Sequence, residues 1–242
     1  MKQAMIFAAG LGTRLKPLTD TIPKALVPVG GQPLLWHVLT KLRLAGFERV
    51  VVNVHHFAGQ IVDYLSANDF GLDVLVSDET QQLLETGGGI KKALPLFDAG
   101  SPVLIHNVDI LSNVDLGVFY EEAASSDATL LVSSRKTKRY LLFDGQLTLK
   151  GWTNIETGEV RSPIAHLDTN GLAQLAFSGI HAISPSLFPR FSEMPERFGI
   201  IDFYLKFCNL YQFKGCWKKD LRLMDVGKLE TLEQAEQFLL SI

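Results

Sequence analysis

Ala4-Met5-Ile6-Phe7-Ala8-Ala9-Gly10-Leu11-Gly12-Thr13-Arg14 decides the fold. The apolar run from Ala4 to Ala8 stops at a glycine, which suits a strand buried on both faces of a parallel sheet. Gly10 to Pro23 is rich in Gly, Pro and Thr and predicts a loop. Beyond it, Pro33 precedes Leu34, Leu35, Val38, Leu39, Leu42 and Ala45 at helical spacing, and Gly46 follows as a stop. Arg49 to Val54 is β-branched and predicts a second strand, Ala58 to Ser66 a helix and Asp73 to Val76 a third strand. Gly87-Gly88-Gly89 is expected to open a helix running to Leu94. Pro102 to His106 then reads as a strand, Asp115 to Ser125 as a helix and Ala128 to Ser133 as a fifth strand. This alternation implies an α/β fold, a mostly parallel sheet with helices on both faces. Past about residue 135 the runs shorten and carry turn signals, Asp144-Gly145 and Thr157-Gly158-Glu159. An antiparallel addition is expected there, with helices near Leu187, over Ile200 to Leu210 and over Leu229 to Leu240.

The remaining composition excludes several classes. With 242 residues, 47% of them hydrophobic and 20% charged, the chain is globular and long enough for one large domain or a domain with a small second lobe. Lys+Arg 23 against Asp+Glu 26 gives a net charge of -3, so no basic excess points to nucleic acid. Cys208 and Cys216 lack CxxC spacing and read as reduced thiols of a cytoplasmic protein. No run approaches the ~18 apolar residues of a membrane span, and the N-terminal apolar run is too short for a signal peptide. His55 and His56 are neighbours and would point to opposite faces of a strand. No zinc spacing, G-x-S-x-G or H-E-x-x-H occurs.

In an open parallel sheet, ligands bind beyond the carboxyl ends of the strands. After the first strand, the glycines of Gly10-Leu11-Gly12-Thr13-Arg14 let backbone approach a ligand, successive N–H groups form an anion-binding concavity, and Arg14 and Lys24 add cations. Leu15 breaks the G-x-G-x-x-G pattern and no P-loop run exists, so a dinucleotide site is disfavoured. Asp109, in His106-Asn107-Val108-Asp109, follows the fourth strand. Asp225, in Leu223-Met224-Asp225-Val226-Gly227, precedes the last helix. Either could hold hard Mg²⁺, which takes one or two carboxylates plus phosphate oxygens. Taken singly, either could equally be a cap or turn residue.

Ala8-Ala9-Gly10-Leu11-Gly12-Thr13-Arg14-Leu15-Lys16-Pro17-Leu18-Thr19 with Pro23-Lys24-Ala25-Leu26-Val27-Pro28-Val29 resembles the signature of the sugar-1-phosphate nucleotidyltransferases. Leu84-Glu85-Thr86-Gly87-Gly88-Gly89-Ile90 is most similar to the N-acetylmuramate-1-phosphate uridylyltransferase branch. The resemblance implies one domain, with a nucleotide half to about residue 134 and a sugar half with a closing helix from about 135 to 242. It implies that Ala8, Ala9, Gly10, Leu11, Gly12 and Thr13 wrap an NTP, that Arg14 and Lys24 are catalytic, and that Asp109 and Asp225 bind Mg²⁺. Glu85, Gly87, Gly88 and Asn107 would contact the nucleotide, and Ser178 and Gly179 the sugar. The implied partners are an NTP and a sugar 1-phosphate, with no nucleic acid and no membrane, for a monomer or small homo-oligomer. Departures from the pattern are Val108, where many members have glycine, and Leu223, where tryptophan is common. The 135–170 segment, with Arg139-Tyr140-Leu141 and Gly151-Trp152, lacks a Glu-Lys-Pro element. Guanylyl transfer to a mannose or heptose phosphate, cytidylyl transfer to phosphocholine, a nucleotide-sugar sensor or assembly subunit, and a glycosyltransferase remain open alternatives.

Overall fold

The computed structural model describes residues 1–242. In chain order its elements are β1 (Gln3–Phe7), β2 (Pro28–Val29), β3 (Gln32–Pro33), α1 (Leu34–Leu44), β4 (Arg49–Val54), α2 (Ala58–Ala67), β5 (Asp73–Asp78), α3 (Glu85–Ala93), β6 (Val103–Asn107) and β7 (Ile110–Ser112). There follow α4 (Leu116–Ala123), β8 (Ala128–Ser133), β9 (Arg139–Phe143), β10 (Leu149–Asn154), β11 (Glu159–Arg161), β12 (Ala173–Ile183), α5 (Ile200–Phe207), β13 (Phe213–Trp217), β14 (Leu223–Asp225) and α6 (Glu230–Leu239).

Apolar strand sequences place β1 at the centre. Ala4, Met5 and Ile6 are fully buried, with β4 parallel on one side and β6 parallel on the other. β5 extends the parallel set beyond β4. The chain therefore turns outward from β1 through β4 and β5 and returns to the opposite side as β6, which makes the ends of β1 and β6 a topological switch point. Alternating side chains feed two cores. Ala4 and Ile6 face one of 32 buried residues beneath α1 and α4, and Met5 faces one of 24 beneath α3 and α5. Each fully buried aliphatic chain contributes about 1.5–3 kcal/mol. Helix α1 illustrates the local rules. Its buried Leu34, Leu35, Val38, Leu39 and Leu42 form one face, and it ends where Gly46 takes a φ of 79° and Phe47 N–H donates back to the Leu42 carbonyl at 3.1 Å. Asp115 caps α4 by accepting from Val118 N–H at 2.9 Å.

Two of the expected elements are placed differently. β8 does not join the parallel set, because the eleven-residue β12, nearly continuously buried from Ala176, takes the place beside β6 and carries β8 antiparallel on it. β13 then pairs parallel with β8. The expected antiparallel addition is β9, β10 and β11, joined through the first residues of β12. The second difference is α3, which starts at Glu85 and holds Gly87-Gly88-Gly89 inside it. No helix is long and apolar enough to cross a membrane. Cys208 and Cys216 are free thiols, both pushed up to about 11 by burial.

Two histidines are buried as neutral rings. His181, hydrogen-bonded to the Tyr204 hydroxyl, is pushed down to about 3 by burial, and His106 to about 4 by the same cause. Both values lie below the ordinary 6.5, so between pH 6.5 and about 4 the unfolded chain binds the extra protons. Their contribution to stability is complete above pH 6.5 and shrinks as the pH falls. The expected loss at pH 5 is roughly 2 kcal/mol per histidine. Urea midpoints at pH 7.5 and pH 5 measure it, and equal midpoints would contradict it.

Candidate functional site

β1 delivers the chain into the switch point, and a side chain from the neighbouring strand fixes the first residues of the loop beyond it. Asn53 Oδ1 accepts from Ala8 N–H at 2.8 Å and Ala9 N–H at 3.3 Å, while its Nδ2 donates to Glu79 Oε1 at 2.7 Å. Glu79 Oε2 in turn accepts from Leu84 N–H at 3.1 Å. Asn53 and Glu79 are both buried. Sequence reasoning missed this pair, although Asn53 is the one polar residue inside the run Val50 to Val54. The amides of Ala8 and Ala9 are thereby committed to protein, so those free to meet an anion begin at Gly10. Gly12 adopts a φ of 63°, and its carbonyl accepts from Leu15 N–H at 2.9 Å and the Thr19 hydroxyl at 2.8 Å. These bonds curl Leu11 to Leu15 into a compact turn. A later turn, Lys24 to Leu26, starts at the lysine.

Two short strands assemble the charged residues. β14 pairs antiparallel with β7 so that Asp225 stands opposite Ile110, and Val226 N–H donates to the Asp109 carbonyl at 2.8 Å. Carboxylates far apart in sequence thus become neighbours. Lys24 forms an ion pair with Asp109, both side chains being mostly buried. A β-carbon on Gly227 would lie 2.6 Å from Asp225 Oδ1 and 2.7 Å from an Arg14 guanidinium nitrogen, so that glycine makes room for both groups. Asp225 keeps contact with solvent, yet the protein crowded around it raises its carboxyl above the ordinary value. Partial desolvation is the larger cause and the Asp109 charge adds to it, while Lys24, Arg14 and Arg135 pull the other way.

A cavity of about 260 Å³ opens at this point. Of the residues singled out from sequence, Ala8, Ala9, Gly10, Lys24, Glu85, Asn107 and Asp109 line it, together with Asn53, Glu79 and Thr86. Leu11, Gly12, Thr13 and Arg14 continue the loop beyond this lining, and Asp225 stands beside Asp109. Gly87 and Gly88 do not line the cavity. Their N–H groups donate to the Phe198 carbonyl at 2.9 and 3.1 Å. Added β-carbons would sit 2.2 Å from the Phe198 ring and 2.2 Å from the Glu196 carbonyl oxygen, respectively. These glycines let α3 pack against the 196–198 segment, a role that the sequence expectation of a nucleotide contact did not include. Glu85 faces the cavity and pairs with Arg197 at 3.0 Å. Gly179 has a φ of 73°, and a β-carbon there would stand 2.7 Å from Asn107 Nδ2, so β12 approaches the end of β6 closely. Ser178 beside it is buried, with no hydrogen-bond partner for its hydroxyl.

The family model described as nucleotidyl transferase matches residues 3–141. The chain belongs to the nucleotidyl transferase family. Within it, the chain is 37% identical to N-acetylmuramate alpha-1-phosphate uridylyltransferase of Caulobacter vibrioides over 195 residues, 77% of this chain and 76% of that protein. It is 44% identical over 125 residues to the enzyme of the same name from Neisseria meningitidis, a match spanning 51% of this chain and about half (53%) of that protein. Among solved structures, HddC from Yersinia pseudotuberculosis superposes with a TM-score of 0.78 at 25% identity, covering 99% of this chain and 100% of that one. The family match takes in the loop after β1, the cavity and Asp109, whereas Asp225, Ser178 and Gly179 lie outside it.

Proposed function

We propose that this chain transfers a uridylyl group from UTP to N-acetylmuramate 1-phosphate, giving the nucleotide-sugar and pyrophosphate. The observation that carries the reading is the convergence of Lys24, Arg14, Asp109 and Asp225 at the mouth of a cavity walled by the backbone of Ala8 to Gly10. The high identity to two uridylyltransferases of that name supports the choice of base and acceptor.

The sugar phosphate is already ionised and nucleophilic, so the protein needs no general base and no covalent intermediate. Its task is to hold two polyanions in line and to neutralise charge. The amides from Gly10 onward and the Arg14 guanidinium take the β- and γ-phosphates and stabilise the departing pyrophosphate. Lys24 lies next to the α-phosphate, where negative charge grows in the transition state. Asn107 and the cavity wall at Glu85 and Thr86 hold the nucleoside. Asp109 and Asp225 suit a divalent cation, because the Asp109 charge helps to raise the Asp225 carboxyl and a positive ion between the two carboxylates would relieve that repulsion. They would hold Mg²⁺, which when bound supplies further charge neutralisation on the triphosphate. Residues to about 134 form the nucleotide half and those beyond it the acceptor half.

The test is pyrophosphate release from each pairing of the four NTPs with a panel of sugar 1-phosphates, with Mg²⁺ or with EDTA, products being confirmed by mass. Release is expected to be strongest for UTP with N-acetylmuramate 1-phosphate and abolished by EDTA. Silence across the whole panel would reject the transferase reading, and a different strongest pair would reject the substrate assignment.

A further inference from the structure

The antiparallel addition presents one face that the reaction described above does not use. Register places Leu175 of β12, Leu141 of β9, Trp152 of β10 and Arg161 of β11 in a single cross-strand row. Side chains directly opposite, or two residues along a strand, share a face, so Arg139 and Phe177 belong to the same face, one step further along β9 and β12. A cavity of about 350 Å³ lies over it, lined by Arg135, Arg139, Arg161, Trp152 and Phe177, with Ile201 of α5 at its border. Phe177 is two residues from Gly179, which touches Asn107, so this basin adjoins the nucleotide cavity along β12.

Its charges do not balance. Arg161 pairs with Asp202 at 2.6 Å and lies over the Trp152 ring at 5.6 Å. Arg135 donates to the Phe177 carbonyl at 3.1 Å, and its charge reaches Asp225. Arg139 is exposed and has neither ion pair nor side-chain hydrogen bond. Three guanidinium groups line the basin, no carboxylate is among its lining residues, and only Arg161 is ion-paired. A sugar phosphate whose phosphate lies toward the cation that Asp109 and Asp225 would hold has the Arg135 charge beside it, which leaves Arg139 without an anion. The planar fork of an arginine matches a carboxylate in two parallel hydrogen bonds, and an aromatic ring such as Trp152 suits the apolar face of a pyranose.

We infer that this basin holds the acceptor sugar and that Arg139 selects an acceptor bearing a carboxylate on its ring substituent in addition to the phosphate. The inference rests on the nucleotidyl transfer proposed above. Arg139 is a specificity residue, remote from the reacting phosphorus, and its effect appears in KM.

The experiment compares the unaltered protein, Arg139→Gln and Arg139→Lys with UTP and either N-acetylmuramate 1-phosphate or N-acetylglucosamine 1-phosphate, which differ by the lactyl carboxylate. The unaltered protein is expected to prefer the acidic sugar. Arg139→Gln is expected to lower kcat/KM for it about 30-fold, the scale of one charge-assisted pair, chiefly through KM, with less than about a threefold effect on the neutral sugar. Arg139→Lys should fall between. Thermal melts should be unchanged, since the side chain is exposed. Equal losses on both sugars, or no loss on the acidic one, would overturn the inference, as would an unaltered protein that uses both sugars alike. These outcomes leave nucleotidyl transfer standing. An unaltered protein that releases pyrophosphate with no NTP and acceptor pair would overturn that reading and the inference with it.

Discussion

Asp109→Asn is expected to fold normally and to lose about three orders of magnitude in kcat, because the amide keeps the shape of the side chain and removes the charge on which a cation and the Lys24 pair depend. A second readout is independent of turnover. The Asp109 charge is one of the two causes that lift the Asp225 carboxyl, so its removal should lower the Asp225 titration midpoint. Carboxyl carbon shifts followed by NMR in the unaltered protein and the variant would record it. Turnover near the original rate would remove Asp109 from the reaction, whereas lost turnover with an unmoved Asp225 would show that the two carboxylates are less close in solution than the β7 and β14 pairing places them.

The second large effect falls on stability. Gly88→Ala would put a methyl group 2.2 Å from the Glu196 carbonyl oxygen, a backbone atom that cannot rotate away. The 196–198 segment must move, which disturbs the bonds from Gly87 and Gly88 to Phe198 and the entry to α5. A loss of about 3 kcal/mol is expected, the upper part of the range for overpacking. Gly59→Ala in α2 is the control, since nothing lies within 4 Å of its added methyl and alanine favours the helix by about 1 kcal/mol. Denaturant midpoints decide the matter. A Gly88→Ala protein of unchanged stability but altered base preference would place that glycine at the nucleotide site instead.

Much of the α/β half was legible because its signals are local. The buried strand Arg49–Val54 and the helix Leu34–Leu44 with its glycine stop are set by hydrophobic periodicity and capping within a few residues. The loop after β1 and Asp109 were legible for the same reason, their residue types crowding at a strand end. The position of β8 was not, since it depends on competition between two buried strands for the place beside β6, and β12 lies some forty residues further on. Nor could the sequence assign the triple glycine. A glycine tolerated for approach to a ligand and one required for approach to another segment look alike until Phe198 and Glu196 are placed. Asn53 and Glu79 escaped because they act from beneath the loop, and only the interruption of a valine run marked Asn53.

β12 belongs to both halves of the molecule. Ala173, Gln174 and Leu175 pair with β9, whereas Ile180 to Ile183 pair with β6, and an irregularity falls between Phe177 and His181. One unbroken backbone therefore serves as a gauge between the proposed donor and acceptor sites, at a rise of about 3.3 Å per residue. The spacing between those two proposed sites along the strand is then counted in residues of β12. Deleting a single residue from Ser178-Gly179 would shorten that gauge and turn the later side chains of the strand to the opposite face.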